Sequence, residues 1–267
     1  MDVFFDVDGC LIDTKYQPNM DMDEFRALVA EKIATGWFFH INSNRSNVSL
    51  LKLREQFGFN GTLISENGIA VYDPRTDETI TADGFTPIDR DELSGVFEFR
   101  PRSKVRYIAT SQLANEPIRF AHEFEGPENT VYFIENTRQY TATVYPRVDS
   151  AELTSCTPEL LEATVELLSG KFPNFDVTTS PAYGNVLMIP KGANKGSTMR
   201  DIADGQVASF GDGSADVSMF EISDYFGVPS NGDEAVMQAA RTWRGFVADR
   251  PYTQGAYDFL LQLKEAK

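Results

Sequence analysis

The chain has few cysteines, few basic residues and no long apolar run. Its two cysteines, Cys10 and Cys156, lie far apart in 267 residues, so they do not suggest a disulfide framework. Only 24 Lys and Arg stand against 40 Asp and Glu, a net charge of −16. Nucleic acids and anionic membranes demand a positive surface, so neither is expected as the main partner. With no run of membrane-spanning length, we expect a cytoplasmic protein.

What the sequence does contain is an ordinary globular mixture, 42% hydrophobic and 24% charged. At 267 residues it exceeds the usual size of one domain. One domain carrying a sizeable insertion, or two domains, is therefore expected.

Strand and helix patterns alternate at both ends of the chain, which predicts an α/β fold with a Rossmann-like parallel sheet. Predicted strands lie at the N-terminus and at 37–42, 62–65, 207–210, 225–228 and 245–248, with a hairpin turn at Glu66-Asn67-Gly68. Predicted helices lie at 23–34, 48–57, 196–202, 217–222, 234–240 and 254–263. Between them the rhythm changes to short strands around one helix at 158–168. We expect a core of residues 1–79 and 186–267 and an inserted α+β domain of residues 80–185.

The most informative motif is Asp6-Val-Asp8-Gly9, directly after the first strand. Period-2 geometry points Asp6 and Asp8 the same way, and Gly9 permits a sharp turn. Two crowded carboxylates at a strand end are most simply explained by a divalent cation. For an isolated motif of this kind, a helix N-cap or an acidic turn is the favoured interpretation, and the later segments of the chain change that balance.

Two further segments fit an anion site. Ser43-Asn44-Arg45 follows the second predicted strand and precedes a helix, where backbone N–H groups bind anions. An ordinary N-cap is the alternative for this segment. Lys191 and Lys195 lie in a glycine-containing loop before another helix. Loop lysines are usually solvated surface charges, but a lysine at a helix start opposes the dipole preference, which makes a role facing an anion a stronger alternative.

The fourth segment is Gly211-Asp212-Gly213-Ser214-Ala215-Asp216, after the predicted strand at 207–210. The two acids can be an N-cap and a first-turn acid. They can equally complete a Mg²⁺ site of oxygen ligands with Asp6 and Asp8.

Together the four segments resemble the haloacid dehalogenase superfamily of phosphohydrolases. Its order is Asp-x-Asp-Gly, then Ser or Thr, then Lys, then Gly-Asp-x-x-x-Asp, matched here by Asp6 to Gly9, Ser43, Lys195 and Gly211 to Asp216. The Glu-Asn-Gly turn and the loop of Lys195 resemble the branch with a large cap between the second and third motifs, which includes Cof-type and sucrose-phosphate phosphatases. Cys10 departs from the common Thr or Val, and we expect that position to contribute mainly backbone.

The resemblance implies catalytic and metal roles. Asp6 would form an aspartyl-phosphate, and Asp8 would act as acid and then base. Mg²⁺ would be held by Asp6, Asp8 through its backbone carbonyl, and Asp212, with Asp216 in support directly or through water.

Phosphate and substrate contacts are implied as well. Ser43, Asn44 and Lys195 would hold the phosphoryl oxygens. Arg45, Asn67 and Lys191 are further candidates, with a surface salt bridge as the alternative for Arg45. Arg100 and Arg102 belong to a basic cluster that could bind substrate, although a solvated strand edge is the simpler interpretation.

We therefore expect a Mg²⁺-dependent phosphatase acting on a small phosphorylated metabolite, such as a sugar phosphate. The alternatives are a phosphomutase and a non-catalytic binding protein on the same scaffold. A binding module has no use for a nucleophile–acid aspartate pair, which disfavours the latter.

Overall fold

The computed structural model describes residues 1–98, 100, 102–109, 130–148 and 156–263. Its strands are β1 (Asp2–Phe5), β2 (Phe38–Asn42), β3 (Leu63–Ser65), β4 (Ala70–Asp73), β5 (Glu78–Thr81), β6 (Ser103–Ile108), β7 (Thr130–Glu135), β8 (Ala142–Val148), β9 (Phe175–Ser180), β10 (Asn185–Pro190), β11 (Val207–Phe210), β12 (Tyr225–Val228) and β13 (Phe246–Val247). Its α-helices are α1 (Met22–Ala34), α2 (Asn47–Phe57), α3 (Arg90–Glu98), α4 (Pro158–Lys171), α5 (Lys195–Ile202), α6 (Val217–Phe220), α7 (Glu234–Thr242) and α8 (Tyr252–Gln262).

The chain divides into two compact units. The first comprises Met1–Asp83 and Ala193–Lys267, and the second comprises Gly84–Gly192. These divisions fall a few residues later along the chain than the boundaries expected from the sequence, and β10 belongs to the second unit.

The first unit is built on an eight-stranded sheet in the order β13-β12-β11-β1-β2-β3-β4-β5. The pairs from β13 to β3 are parallel, and β4 and β5 add antiparallel strands at one edge. The parallel α/β core predicted from the alternating pattern is confirmed. Parallel strands place their carboxyl ends at one edge, where ligands of such sheets bind.

Side chains of β1 alternate between two apolar layers on opposite faces of this sheet. Phe5 packs with residues of α1, α2 and α8, and Phe4 packs with residues of α5, α6 and α7. Both phenylalanines are fully buried. Burial on both faces explains why β1 reads as a continuous apolar run.

The second unit has a five-stranded sheet in the order β6-β7-β8-β10-β9. Strands β6 and β7 are parallel, and the other pairs are antiparallel. Helices α3 and α4 cover one face, burying Leu93, Phe97 and Leu168 against it. Among the described residues of both units, no helix combines the length and apolar character needed to cross a membrane.

Candidate active site

Three neighbouring strands deliver polar side chains to one edge of the first sheet. Strand β1 lies between β11 and β2, and all three run parallel. Asp6 follows β1, Ser43 follows β2, and Asp212 lies shortly after β11. The fold therefore brings three of the four sequence motifs to one edge of the sheet.

The fourth motif contributes Lys195, the first residue of α5. Its Nζ lies 3.0 Å from Oδ1 of Asp6 and 2.6 Å from Oδ1 of Asp216. The Lys195 side chain is only 3% exposed. A buried ammonium between two carboxylates holds both in place, and it leaves Asp6 beside a fixed positive charge.

Asp216 holds two parts of the site, the Lys195 side chain and the loop after β11. Its Oδ2 accepts hydrogen bonds from the backbone N–H groups of Asp212 (2.9 Å) and Gly213 (3.0 Å). Both carboxylate oxygens of Asp216 are thus engaged by the chain itself. In this arrangement Asp216 acts on the site through Lys195 and the loop, and its predicted support of a cation stays a prediction.

The side chain of Asp8 faces Arg45. Nε of Arg45 donates to Oδ2 at 2.7 Å, and a terminal nitrogen donates to Oδ1 at 2.6 Å, a two-pronged ion pair. The other terminal nitrogen donates to Ser49 at 3.0 Å, and the guanidinium lies over the ring of Tyr16. Arg45 thus pairs with Asp8 within the candidate site and does not form the surface salt bridge named as its alternative. Its role toward substrate stays a prediction.

Ser43 and the Glu-Asn-Gly turn lie around the loop of Lys195. Ser43 is buried, and its hydroxyl accepts the backbone N–H of Arg45 at 3.4 Å. Asn67, in a left-handed conformation (φ 61°), donates to the carbonyl of Ala193 at 3.1 Å. The carbonyl of Gly68 accepts a short hydrogen bond from Thr198. The Glu-Asn-Gly turn therefore supports the start of α5. Asn44, the residue after Ser43, is half-buried.

Cys10 contributes its side chain to this site, contrary to the expectation that its position offers mainly backbone. The buried Sγ lies 3.5 Å from Oδ1 of Asp212. Asp6, Cys10 and Asp212 each present a potential ligand atom within 4.8 Å of the others. Gly9 adopts a left-handed conformation (φ 82°), and a Cβ there would overlap the Asp212 carboxylate. The tight turn after β1 thus brings the thiol and two carboxylates together.

The charges of this cluster do not balance. Asp6, Asp212 and Asp216 bring three carboxylates to one ammonium, that of Lys195. Burial, more than the neighbouring acids, raises the pKa of Asp6 to about 6, and burial raises that of Asp212 well above its ordinary value. Burial alone would lower the pKa of Lys195, but Asp216 and Asp6 outweigh it and raise that pKa.

The residues present fit a divalent cation. One such ion would neutralise the two uncompensated negative charges, and carboxylate and carbonyl oxygens are the ligands that Mg²⁺ takes. The Asp6 and Asp212 carboxylates and the backbone carbonyl of Asp8 would hold it, since the Asp8 carboxylate is bound by Arg45.

Three sequence candidates belong to the second unit, and their roles stay a prediction. They are Lys191, Arg100 and Arg102, and all three are exposed. Asn231, which was not among the sequence candidates, supports the turn after β1. It donates to the carbonyl of Gly9 at 2.8 Å and accepts the N–H of Tyr252 at 2.9 Å. Asn231 follows β12, so the rule that polar residues gather after parallel strands could have found it.

Comparisons with known proteins place this geometry in a family. A family model described as haloacid dehalogenase-like hydrolase matches residues 3–258. No curated protein sequence matches the chain.

Three solved structures illustrate the likeness of fold. A haloacid dehalogenase-like hydrolase from Bacteroides thetaiotaomicron is 14% identical, with a TM-score of 0.68 and 98% of each chain covered. A HAD/Cof-like hydrolase from Plasmodium vivax is 18% identical, with a TM-score of 0.62, covering 98% of this chain and 94% of that one. The sucrose-phosphatase of Synechocystis, in complex with sucrose and phosphate, is 14% identical, with a TM-score of 0.54, covering 98% of this chain and 96% of that one.

Proposed function

The chain belongs to the haloacid dehalogenase-like hydrolases, and from that premise we propose that it is a Mg²⁺-dependent phosphatase. It would hydrolyse a small phosphorylated metabolite, a sugar phosphate or a related phosphomonoester, through an aspartyl-phosphate on Asp6. The observation that carries this proposal is the buried ion pair of Lys195 with Asp6, 3.0 Å apart. It supports the proposal because the ammonium is a positive charge held beside the carboxylate that would meet the phosphoryl group.

The first half-reaction uses Asp6 as nucleophile. A carboxylate oxygen of Asp6 forms a bond to phosphorus while the bond from phosphorus to the ester oxygen breaks. Lys195 and the groups around Ser43 hold the phosphoryl oxygens. Magnesium, when bound, supplies positive charge that lets a carboxylate approach a phosphate dianion. Asp8 gives a proton to the departing ester oxygen, which leaves as an alcohol.

The second half-reaction regenerates the enzyme. A water molecule gives a proton to Asp8, and its oxygen attacks phosphorus. The bond from phosphorus to Asp6 breaks, which restores the Asp6 carboxylate and releases inorganic phosphate. Arg45 orients the ionised Asp8 carboxylate for this proton transfer through its two hydrogen bonds, of 2.6 and 2.7 Å. The proton that Asp8 takes up here is the one that it donates to the ester oxygen in the next turnover.

The second unit supplies the proposed specificity. We assign it as a cap that excludes water while the aspartyl-phosphate forms and then admits one water molecule. Its exposed basic residues Arg100 and Arg102 would contact the part of the substrate beyond the phosphate. A sugar phosphate is the class suggested by the sucrose and phosphate bound to the Synechocystis neighbour.

A screen of phosphorylated metabolites tests the proposal. Phosphate release is measured for each compound with Mg²⁺ and again with EDTA. We expect sugar phosphates among the best substrates and no release in EDTA. When a carboxylate of the candidate site is replaced, as in Asp6→Asn, Glu31→Gln is the matched control. It removes an exposed carboxylate of α1, away from the candidate site.

Two outcomes would overturn it. Isomerisation of a hexose monophosphate, stimulated by the bisphosphate and with little phosphate released, would identify a phosphomutase. Substrate binding without any phosphate release or isomerisation across the screen would identify a binding protein.

A further inference from the structure

The thiol of Cys10 is a soft ligand within a cluster of hard ones. Cys10 is fully buried, and its Sγ lies in the same group of mutually close ligand atoms as the carboxylates of Asp6 and Asp212. Thiolates select cations such as Zn²⁺ and Cd²⁺, whereas Mg²⁺ prefers oxygen. The sulfur therefore changes which metals this site can hold.

The distance from Cys10 to Asp212 suits a tetrahedral cation. Bonds of about 2.3 Å to sulfur and about 2.0 Å to oxygen, at a tetrahedral angle, put the two ligand atoms about 3.5 Å apart. Sγ of Cys10 and Oδ1 of Asp212 are 3.5 Å apart. The third ligand atom, from Asp6, lies within 4.8 Å of both.

A second observation also points to a cation. Oδ1 of Asp6 is buried and accepts no well-formed hydrogen bond from the residues that the structure describes. The ammonium of Lys195, 3.0 Å away, is the partner that the structure gives it. A buried carboxylate oxygen with this one partner retains a lone pair that can coordinate a metal ion.

We propose that Cys10, Asp6 and Asp212 form a binding site for thiophilic divalent cations of the Zn²⁺ and Cd²⁺ type, which compete with Mg²⁺. The bond from metal to sulfur forms as the thiol proton leaves to solvent. The site shares Asp6 and Asp212 with the proposed magnesium site and takes a fourth ligand from water.

Cadmium titration of the full chain, without substrate, tests the proposal. Cys156 is the other cysteine, so a Cys156→Ser background leaves Cys10 as the single thiol. We expect one Cd²⁺ per chain and an ultraviolet cadmium–thiolate absorption band in that background. Adding Cys10→Ser, which keeps a hydroxyl near Asp212, should remove the band and weaken Cd²⁺ binding about 10-fold or more. Mg²⁺ affinity should change far less.

Asp212→Asn in the same background provides an independent check, because it leaves the thiol in place. The band should weaken at equal Cd²⁺ concentration if Asp212 is a ligand of the same ion. Circular dichroism confirms that each variant is folded. Absence of the band from folded Cys156→Ser protein, or equal Cd²⁺ affinity with and without Cys10, would overturn the proposal. Because the cadmium titration uses no substrate, a negative result there would not bear on the proposed phosphatase activity. The screen for phosphate release tests that activity separately.

Discussion

The ammonium of Lys195 lies closer to Asp216, at 2.6 Å, than to Asp6, at 3.0 Å. Asp216 is in turn held by two backbone N–H groups of the loop after β11. The order of these contacts makes Asp216 the fixed member, since it ties Lys195 to the loop. Lys195 then presents its remaining charge to Asp6.

The first prediction concerns Lys195. Lys195→Met should abolish phosphate release and cost about 3–5 kcal/mol of stability, because it leaves buried carboxylates without their cation. Urea unfolding and phosphate release measure the two effects. Lys191→Ala, at an exposed lysine of the same loop, should cost far less of both. Comparable losses of activity from the two changes would mean that Lys195 does not contact the transferred phosphoryl group.

The second prediction separates activity from stability at Asp6. Asp6→Asn should abolish turnover yet raise metal-free stability by up to about 3 kcal/mol above pH 6, since burial holds the pKa of Asp6 at about 6 against an ordinary 3.8. Above pH 6 the folded state holds the ionised form at a cost. That cost fades as the pH falls from 6 through 3.8, and below 3.8 the carboxyl is protonated in both states.

Chemical unfolding in EDTA at several pH values measures this difference, with Glu31→Gln as the control. The gain should shrink steadily as the pH is lowered. A folded Asp6→Asn protein that still releases phosphate would exclude the covalent mechanism.

Much of the fold could be predicted from local patterns. The parallel strands are continuous apolar runs, and most helices are closed by recognisable ends, such as Gly58 after α2. Among the strands and α-helices of the described residues, two were missed. Strand β5 is a polar, exposed edge strand, so it has no apolar alternation. Helix α3 contains Gly95, and its start depends on Asp89 accepting two backbone N–H groups.

The candidate site was only partly predictable. Strand ends and glycines indicated the four motif segments, whose catalytic roles stay a prediction. The pairing of Arg45 with Asp8 and the contact of Cys10 with Asp212 join residues far apart in sequence. No local pattern reports such contacts, because they depend on which loops the folded sheet brings together.

The third prediction tests whether Arg45 orients Asp8 or binds substrate. Arg45→Lys keeps the charge but loses the planar fork, so kcat should fall about 10-fold or more with little change in KM. Ser49→Ala removes only the contact that supports the guanidinium and should have a smaller effect. Steady-state kinetics on the best substrate distinguish a role of Arg45 in orienting Asp8 from a role in binding substrate. A raised KM at unchanged kcat would assign Arg45 to substrate binding instead.

The fourth prediction concerns His40, a buried residue that links three strands away from the proposed chemistry. Its Nδ1 accepts the N–H of Thr62 at 3.0 Å, so Nε2 carries the proton toward Asp2, 3.1 Å away. Burial lowers the pKa of His40 from 6.5 despite Asp2. The pKa of His40 is therefore lower in the folded chain than in the unfolded chain. Just below pH 6.5 the unfolded chain binds a proton at this histidine that the folded chain does not bind.

It follows that His40 makes the protein less stable as the pH falls below about 6.5, by up to about 1.4 kcal/mol per pH unit. His40→Gln should remove this part of the pH dependence. The informative quantity is the difference in unfolding free energy between wild type and variant, measured from about pH 8 to about pH 5. A difference that is independent of pH would show that the histidine titrates alike in both states.

The last prediction uses two glycines with nearly the same backbone conformation. Gly36 has φ +92° and Gly68 has φ +94°, but a Cβ at Gly36 meets nothing within 4 Å, whereas one at Gly68 would overlap the carbonyl of Asn194. Gly36→Ala should therefore cost about 1–2 kcal/mol of stability through backbone strain alone, with activity retained.

Gly68→Ala should lower the stability more than Gly36→Ala does, because the added methyl group displaces the backbone that leads into Lys195. The ammonium then moves from its position beside Asp6, and a misplacement of about 1 Å costs about 100-fold in rate. Urea unfolding and phosphate release on both variants give the comparison. If Gly68→Ala lost only as much stability as Gly36→Ala and kept full activity, the turn at Glu66-Asn67-Gly68 would not be positioning Lys195.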